Sequence, residues 1–239
     1  MIMRPLIAGN WKMHGDMSWI EKPAQFDTLM PATERGHLDI LICPPALFIA
    51  PMAASCFETN ILLGAQNCHR AESGAHTGEV SAGMVKSAGA DFVIVGHSEI
   101  RAGGETDEDV ATKAMAAAKQ GLMPIICVGE SLDTRKDGQA ESVVSAQIKA
   151  SVPEGLTDYV LAYEPIWAIG TGMTATADDI KAMHAVIREI VGPNVRILYG
   201  GSVKPANAKE ILGTENVNGA LIGGASLEME SLAAIARAA

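Results

Sequence analysis

A glutamate, a histidine and a lysine, each just past a short apolar run, are the side chains best placed to do chemistry. They are Glu164 in Tyr163-Glu164-Pro165, His97 in Gly96-His97-Ser98-Glu99, and Lys12 in Gly9-Asn10-Trp11-Lys12. A carboxylate can take a proton, an imidazole can donate a hydrogen bond to a carbonyl, and a long-reaching lysine suits a phosphate. Asn10 adds an amide. Each also has a plainer reading, as a surface lysine beside a turn or a satisfied structural histidine. Pro165 disfavours helix at Glu164, which keeps that carboxylate at the end of its apolar run. The segment that follows, Pro165, Ile166, Trp167, Ala168, Ile169, Gly170, Thr171 and Gly172, joins apolar residues to glycines. A lid that closes over a ligand needs both, the first to exclude water and the second to permit a new backbone path. A static loop packed on the protein is the alternative. Two Gly-Gly pairs, Gly200-Gly201 before Ser202 and Gly223-Gly224 after Leu221 and Ile222, mark turns that can hold an anion with backbone N–H groups.

These groups need a scaffold that gathers run ends. Eight near-continuous apolar runs, at 5–8, 39–43, 61–65, 92–95, 125–128, 159–162, 196–199 and 220–222, read as strands. Their weak alternation fits a parallel sheet buried on both faces. Helical segments lie between them. Thr106 with Asp109, and Thr176 with Asp179, are capping-box starts. Ile180, Met183, Ile187, Ile190 and Val191 share one helical face, ended by Gly192-Pro193. The pattern predicts an α/β fold, a single (β/α)8 barrel over residues 1–239 with eight parallel strands surrounded by helices. A doubly wound sheet is the alternative, weakened because no GxGxxG follows the first run. In such a barrel, functional groups belong at the C-terminal strand ends. All the groups above lie there. So do Cys127, which reads as a packing thiol, and Glu130, which reads as a structural carboxylate.

The chain has 239 residues, 18 Lys+Arg and 28 Asp+Glu, for a net charge of −10. This argues against nucleic acid and anionic membranes. It also requires any anion site to be local. Hydrophobic residues make up 48%, which excludes disorder. Cys43, Cys56, Cys68 and Cys127 have no zinc-ligand spacing, and residues 1–10 have no signal-peptide layout, so the expectation is a reduced, cytoplasmic chain. No metal cluster or nucleotide fingerprint stands out.

The motifs AGNWKM (8–13), GAQN (64–67), GHSE (96–99), CVGE (127–130), AYEPIWAIGTG (162–172), YGGSV (199–203) and GGASL (223–227) together resemble the triosephosphate isomerase family, nearly end to end. The resemblance implies a TIM barrel that interconverts D-glyceraldehyde 3-phosphate and dihydroxyacetone phosphate through an enediolate, in glycolysis and gluconeogenesis, without cofactor or metal. It implies Glu164 as the base, His97 as the neutral electrophile, and Lys12 and Asn10 as groups that meet the substrate. It implies Gly170, Ser202, Gly223 and Gly224 on the phosphate, with Ile169 and Leu221 as an apolar clamp and 165–172 as the lid. Ser98, Glu99, Cys127 and Tyr199 would support these groups, and Thr77 would enter a partner's site in a homodimer. A tetrulose phosphate isomerase and a non-catalytic phosphosugar-binding barrel are the alternatives. Ile100, where the family usually has Arg, and a short Ala102-Gly103-Gly104 stretch depart from the pattern near the expected dimer face. Ala82 in place of a common Pro and the short connection near 192–195 are further departures.

Overall fold

The structure, a computed structural model, describes residues 3–170 and 173–239. Eight parallel strands close into a barrel in chain order, with the first pairing both the second and the last. They are β1 (Leu6–Asn10), β2 (Asp39–Cys43), β3 (Leu62–Ala65), β4 (Phe92–Val95), β5 (Met123–Val128), β6 (Val160–Tyr163), β7 (Arg196–Tyr199) and β8 (Gly219–Ile222). Helices cover the outside.

Both faces of each strand are buried, which accounts for the missing alternation. Leu6, Ala8, Leu41, Cys43, Ile94, Ile125, Cys127, Leu198 and Leu221 fill the barrel interior. Their neighbours Ile7, Ile40, Ile42, Val93, Val95, Ile126 and Ile197 pack against the helices. Each buried aliphatic contributes about 1.5–3 kcal/mol over an exposed one. The two capping boxes form as read, at the starts of helices Asp107–Lys119 and Ala177–Val191. In the latter Ile180, Met183 and Ile187 are buried, while Ile190 and Val191 are half-buried.

Strand boundaries correct the sequence reading by one or two residues. β1 runs on through Asn10, so that residue ends the strand instead of following it. β5 starts at Met123 and β6 ends at Tyr163, which puts Glu164 first after its strand. β8 begins at Gly219, at φ +134, where a Cβ would lie 2.0 Å from the Leu6 carbonyl oxygen. Only glycine allows that close approach of β8 to β1. Among the described residues, no helix is long and apolar enough to cross a membrane.

Candidate active site

At the C-terminal strand ends lies a cavity of about 260 Å³ that brings together Asn10, Lys12, His97, Glu164, Ile169, Gly170, Ser202, Leu221, Gly223 and Gly224. Every residue expected to touch the substrate therefore lines one space. A larger cavity, about 720 Å³, opens near the strand starts around Leu62, Phe92, Leu122 and Met123. In this fold the strand starts serve stability and the C-terminal ends serve chemistry, so the smaller cavity is the candidate site.

Glu164 is 2% exposed. Its Oε1 lies 3.1 Å from His97 Nε2 and accepts the Ser98 hydroxyl at 3.2 Å, while Oε2 accepts the Ser98 backbone N–H at 3.0 Å. Burial pushes the Glu164 carboxyl above its ordinary value, against the opposing pull of His97, Ser98 and Cys127. The carboxylate is thus a stronger base than an exposed one.

His97 sits at the start of the short helix Ser98–Ala102, and its Nδ1 accepts the Glu99 backbone N–H at 3.2 Å. Glu99 Oε2 is 3.8 Å from Nδ1, beyond hydrogen-bond range, so the backbone N–H decides the tautomer. Nδ1 is thus the accepting nitrogen, and Nε2 faces Glu164 Oε1 at 3.1 Å.

Lys12 adopts φ +52, a left-handed conformation unusual for a lysine. Its backbone N–H donates to Asn10 Oδ1 at 3.0 Å, and Gln66 Nε2 donates to the Lys12 carbonyl at 2.8 Å and the Cys43 carbonyl at 3.0 Å. These contacts hold the turn that aims Lys12 into the cavity. Lys12 Nζ is 2.5 Å from Glu99 Oε1. Burial works to raise the Glu99 carboxyl, but hydrogen bonding and charge from Lys12 outweigh it and hold it below the ordinary value.

The supporting residues behave as built parts. Cys127 is fully buried, with its thiol pushed up by burial and the Glu164 charge. Tyr199 packs so closely under the Gly200-Gly201 turn that a Cβ at Gly201 would lie 2.2 Å from its hydroxyl. Glu130 accepts from the Tyr163 hydroxyl at 3.1 Å and from Trp167 Nε1 at 2.8 Å, confirming its structural reading. The lid segment is only partly open to water. Pro165, Trp167 and Ala168 are buried and Ile166–Ala168 form a turn of 3-10 helix, so the exposed apolar surface reduces to Ile166 and part of Ile169. Thr171 and Gly172 lie outside the described residues. Thr77 is exposed on the long loop after β3, away from its own chain's cavity. Gln66 had no role in the sequence reading, and Lys204, which lines the cavity, went unnoticed. No group of residues among those described could hold a metal ion.

The arrangement can move a proton between a buried base and a carbon, and can donate a hydrogen bond to the neighbouring oxygen. Comparison with known proteins agrees. The family model described as triosephosphate isomerase matches residues 5–239. The triosephosphate isomerase of Granulibacter bethesdensis is 51% identical over 99% of each chain. That of Afipia carboxidovorans is 50% identical over 99% of this chain and 98% of its own. The crystal structure of the Bartonella henselae triosephosphate isomerase superposes with a TM-score of 0.90 at 41% identity, covering 98% of both chains. With barrel, cavity and relatives in agreement over almost every residue, the chain belongs to the triosephosphate isomerase family.

Proposed function

We propose that this chain interconverts D-glyceraldehyde 3-phosphate and dihydroxyacetone phosphate, with Glu164 as the base and His97 as the electrophile. One observation carries the reading: a buried, strengthened carboxylate lies 3.1 Å from the His97 ring nitrogen Nε2, and both line a cavity of about 260 Å³ at the C-terminal strand ends. Glu164 takes a proton from the carbon beside the carbonyl, and the electron pair moves to the carbonyl oxygen. His97 Nε2–H meets that oxygen and passes a proton to it, giving an enediol. Glu164 then returns its proton to the adjacent carbon while His97 takes back a proton from the other hydroxyl, whose oxygen becomes the new carbonyl. Lys12 and Asn10 stabilise the developing oxyanion. Atoms and electrons balance within the substrate, so the reaction needs neither redox cofactor nor metal.

Backbone N–H groups at Gly170, Ser202, Gly223 and Gly224 hold the phosphate. Ile169 and Leu221 press on Glu164 from the apolar side as the segment 165–172 closes. Closure excludes water, which would otherwise let the enediolate lose phosphate. Glu99 orients Lys12, Ser98 and Cys127 hold Glu164, and Tyr199 supports the phosphate turn.

The chain acts as a homodimer, with Thr77 entering the partner's site. Met13, Leu47, Met84 and Ile100 support this reading. They are 95%, 81%, 57% and 38% exposed, and they follow β1, β2, β3 and β4 in turn, so they lie on one half of the barrel. Exposed apolar side chains on successive connections suit a partner. The working compartment is the cytoplasm, in keeping with four buried, unpaired cysteines. A coupled assay on glyceraldehyde 3-phosphate, with Glu164→Ala as control, tests the activity. No turnover by the unaltered chain, or equal turnover by the variant, refutes it. Light scattering at micromolar protein tests the dimer, and a monomer there refutes it.

A further inference from the structure

Lys204 lines the same cavity as Lys12, on the turn that follows β7. Its backbone N–H donates to Asn207 Oδ1 at 2.7 Å, and Asn207 Nδ2 donates to the Ser202 carbonyl at 3.1 Å. One side chain therefore ties Ser202 and Lys204 into a single rigid turn. The Lys204 side chain itself is exposed, and no carboxylate among the described residues pairs with it.

The charges around the cavity make that cation stand out. Lys12 is held at 2.5 Å by Glu99, so much of its field is cancelled before it reaches solvent. Glu164 adds a buried carboxylate. The whole chain carries −10. A phosphate ester with two negative charges approaches a protein that repels it at long range. Among the described residues, Lys204 is the one lysine lining the cavity without a carboxylate partner.

We propose that Lys204 is the capture cation for the phosphate ester: it draws the dianion to the cavity mouth and raises the encounter rate, without touching the reacting carbons. This rests on the isomerase reading above. A unit charge and a dianion about 10 Å apart in a water-like dielectric attract enough for roughly a four-fold gain at low salt. Such local fields act on association and fade with ionic strength.

The test compares Lys204→Gln, Lys204→Glu and Lys149→Gln with the unaltered chain. Lys149, exposed near the end of helix Ala140–Ser151, lowers net charge equally but far from the cavity. At about 10 mM ionic strength, kcat/KM for glyceraldehyde 3-phosphate falls roughly four-fold in Lys204→Gln and further in Lys204→Glu, with kcat unchanged. At about 0.5 M the differences close to under two-fold, and Lys149→Gln follows the unaltered chain throughout. Equal salt dependence of Lys204→Gln and Lys149→Gln overturns the proposal. So does a fall in kcat that persists at high salt, which would place Lys204 in the chemical step. Calorimetry with inorganic phosphate separates this proposal from the reading beneath it. If the unaltered chain turns nothing over, the isomerase reading fails, yet weaker phosphate binding by Lys204→Gln at low salt still supports capture. Equal phosphate affinities overturn it.

Discussion

Gly129 sits beneath the backbone of Glu164 and leaves no room for a side chain. A Cβ there would lie 1.7 Å from the Glu164 carbonyl oxygen and 2.7 Å from its carbonyl carbon. Ordinary carbon–oxygen contacts start near about 3.3 Å, so Gly129→Ala forces a shift of roughly 1.5 Å. The Glu164 peptide cannot yield freely. Its N–H donates to the Val128 carbonyl at 2.7 Å, and the preceding carbonyl, of Tyr163, accepts from Gly200 at 2.7 Å. On the other side, Gly200 is so close that its own Cβ would meet Glu164 Cγ at 2.9 Å. The base is wedged between two glycines. A misplacement of about 1 Å costs about 100-fold in rate, so kcat should fall at least that far. Overpacking of this kind costs about 1–3 kcal/mol, which lowers Tm by roughly 2–12 °C in a chain of this size. Gly36→Ala is the control, because nothing lies within 4 Å of a Cβ there. Gly200→Ala presses first on the Glu164 side chain and only mildly on backbone, with the Tyr163 carbonyl oxygen at 3.1 Å, so it should lose activity with a smaller loss of stability. The measurements are the coupled assay and thermal melts by circular dichroism. If Gly129→Ala keeps kcat within about two-fold of the unaltered chain, the wedge argument is wrong.

Glu164 also ties activity to stability through pH. Its folded pKa is raised by burial, so the folded state binds that proton more tightly than the unfolded chain does, and stability is lost as pH rises through the folded value. Glu164→Gln should therefore melt higher than the unaltered chain at pH 8, with the gap closing as pH falls toward 4.5, while its activity collapses; a pH-independent gap refutes this. His184 is fully buried and its pKa is pushed down to about 4 by desolvation. Unfolding lets it take up a proton below pH 6.5, so it should account for about 2 kcal/mol of stability lost between pH 7 and pH 5, read by urea melts and absent in His184→Gln. Arg101 donates to the Gly96 carbonyl at 2.7 Å, the Cys127 carbonyl at 3.1 Å, Ser151 at 3.0 Å and Asp107 at 2.6 Å. Arg101→Met should cost about 3–5 kcal/mol by urea denaturation, and Arg101→Lys should recover only part of it, because one ammonium cannot reach four acceptors. A loss under about 1 kcal/mol would show that the hub is dispensable.

What the sequence revealed follows from what is local. A strand buried on both faces leaves an apolar run that reads directly, and a capping box needs only Thr106 and Asp109 three residues apart. Run ends blur because β1 continues through Gly9 and Asn10, which are not apolar. The groups that line the cavity were legible because the barrel's own rule places them at strand ends, and because the motifs around them resemble a known family. Arg101, Gln66 and His184 were not legible. Each is defined by partners far along the chain: Ser151 for Arg101, Lys12 for Gln66 and Asn216 for His184. Gly129 is a similar case. In the sequence it is one glycine in CVGE, and its reason appears only when Glu164 is folded over it. Lys204 was hidden by ordinariness, since an exposed lysine becomes informative only when the cavity beside it is known.

The placement of cations explains how the base stays basic. A buried carboxylate without partners would be costly, and pairing it with an arginine would lower its pKa and weaken it. This site avoids both outcomes. Glu164 receives hydrogen bonds from the Ser98 N–H, the Ser98 hydroxyl and the Cys127 thiol, none of which carries a charge, and burial outweighs the pull of His97. An arginine is near, but Arg101 turns its guanidinium to the Gly96 and Cys127 carbonyls and to Asp107. Lys12 is engaged by Glu99. The donors make burial tolerable, and the diverted cations leave burial free to raise the pKa. Glu164 and His97 face each other at 3.1 Å across the cavity that both line. In the proposed isomerase reaction, a substrate oxygen seated at His97 Nε2 sets the adjacent carbon beside the carboxylate, so binding itself brings base and proton together.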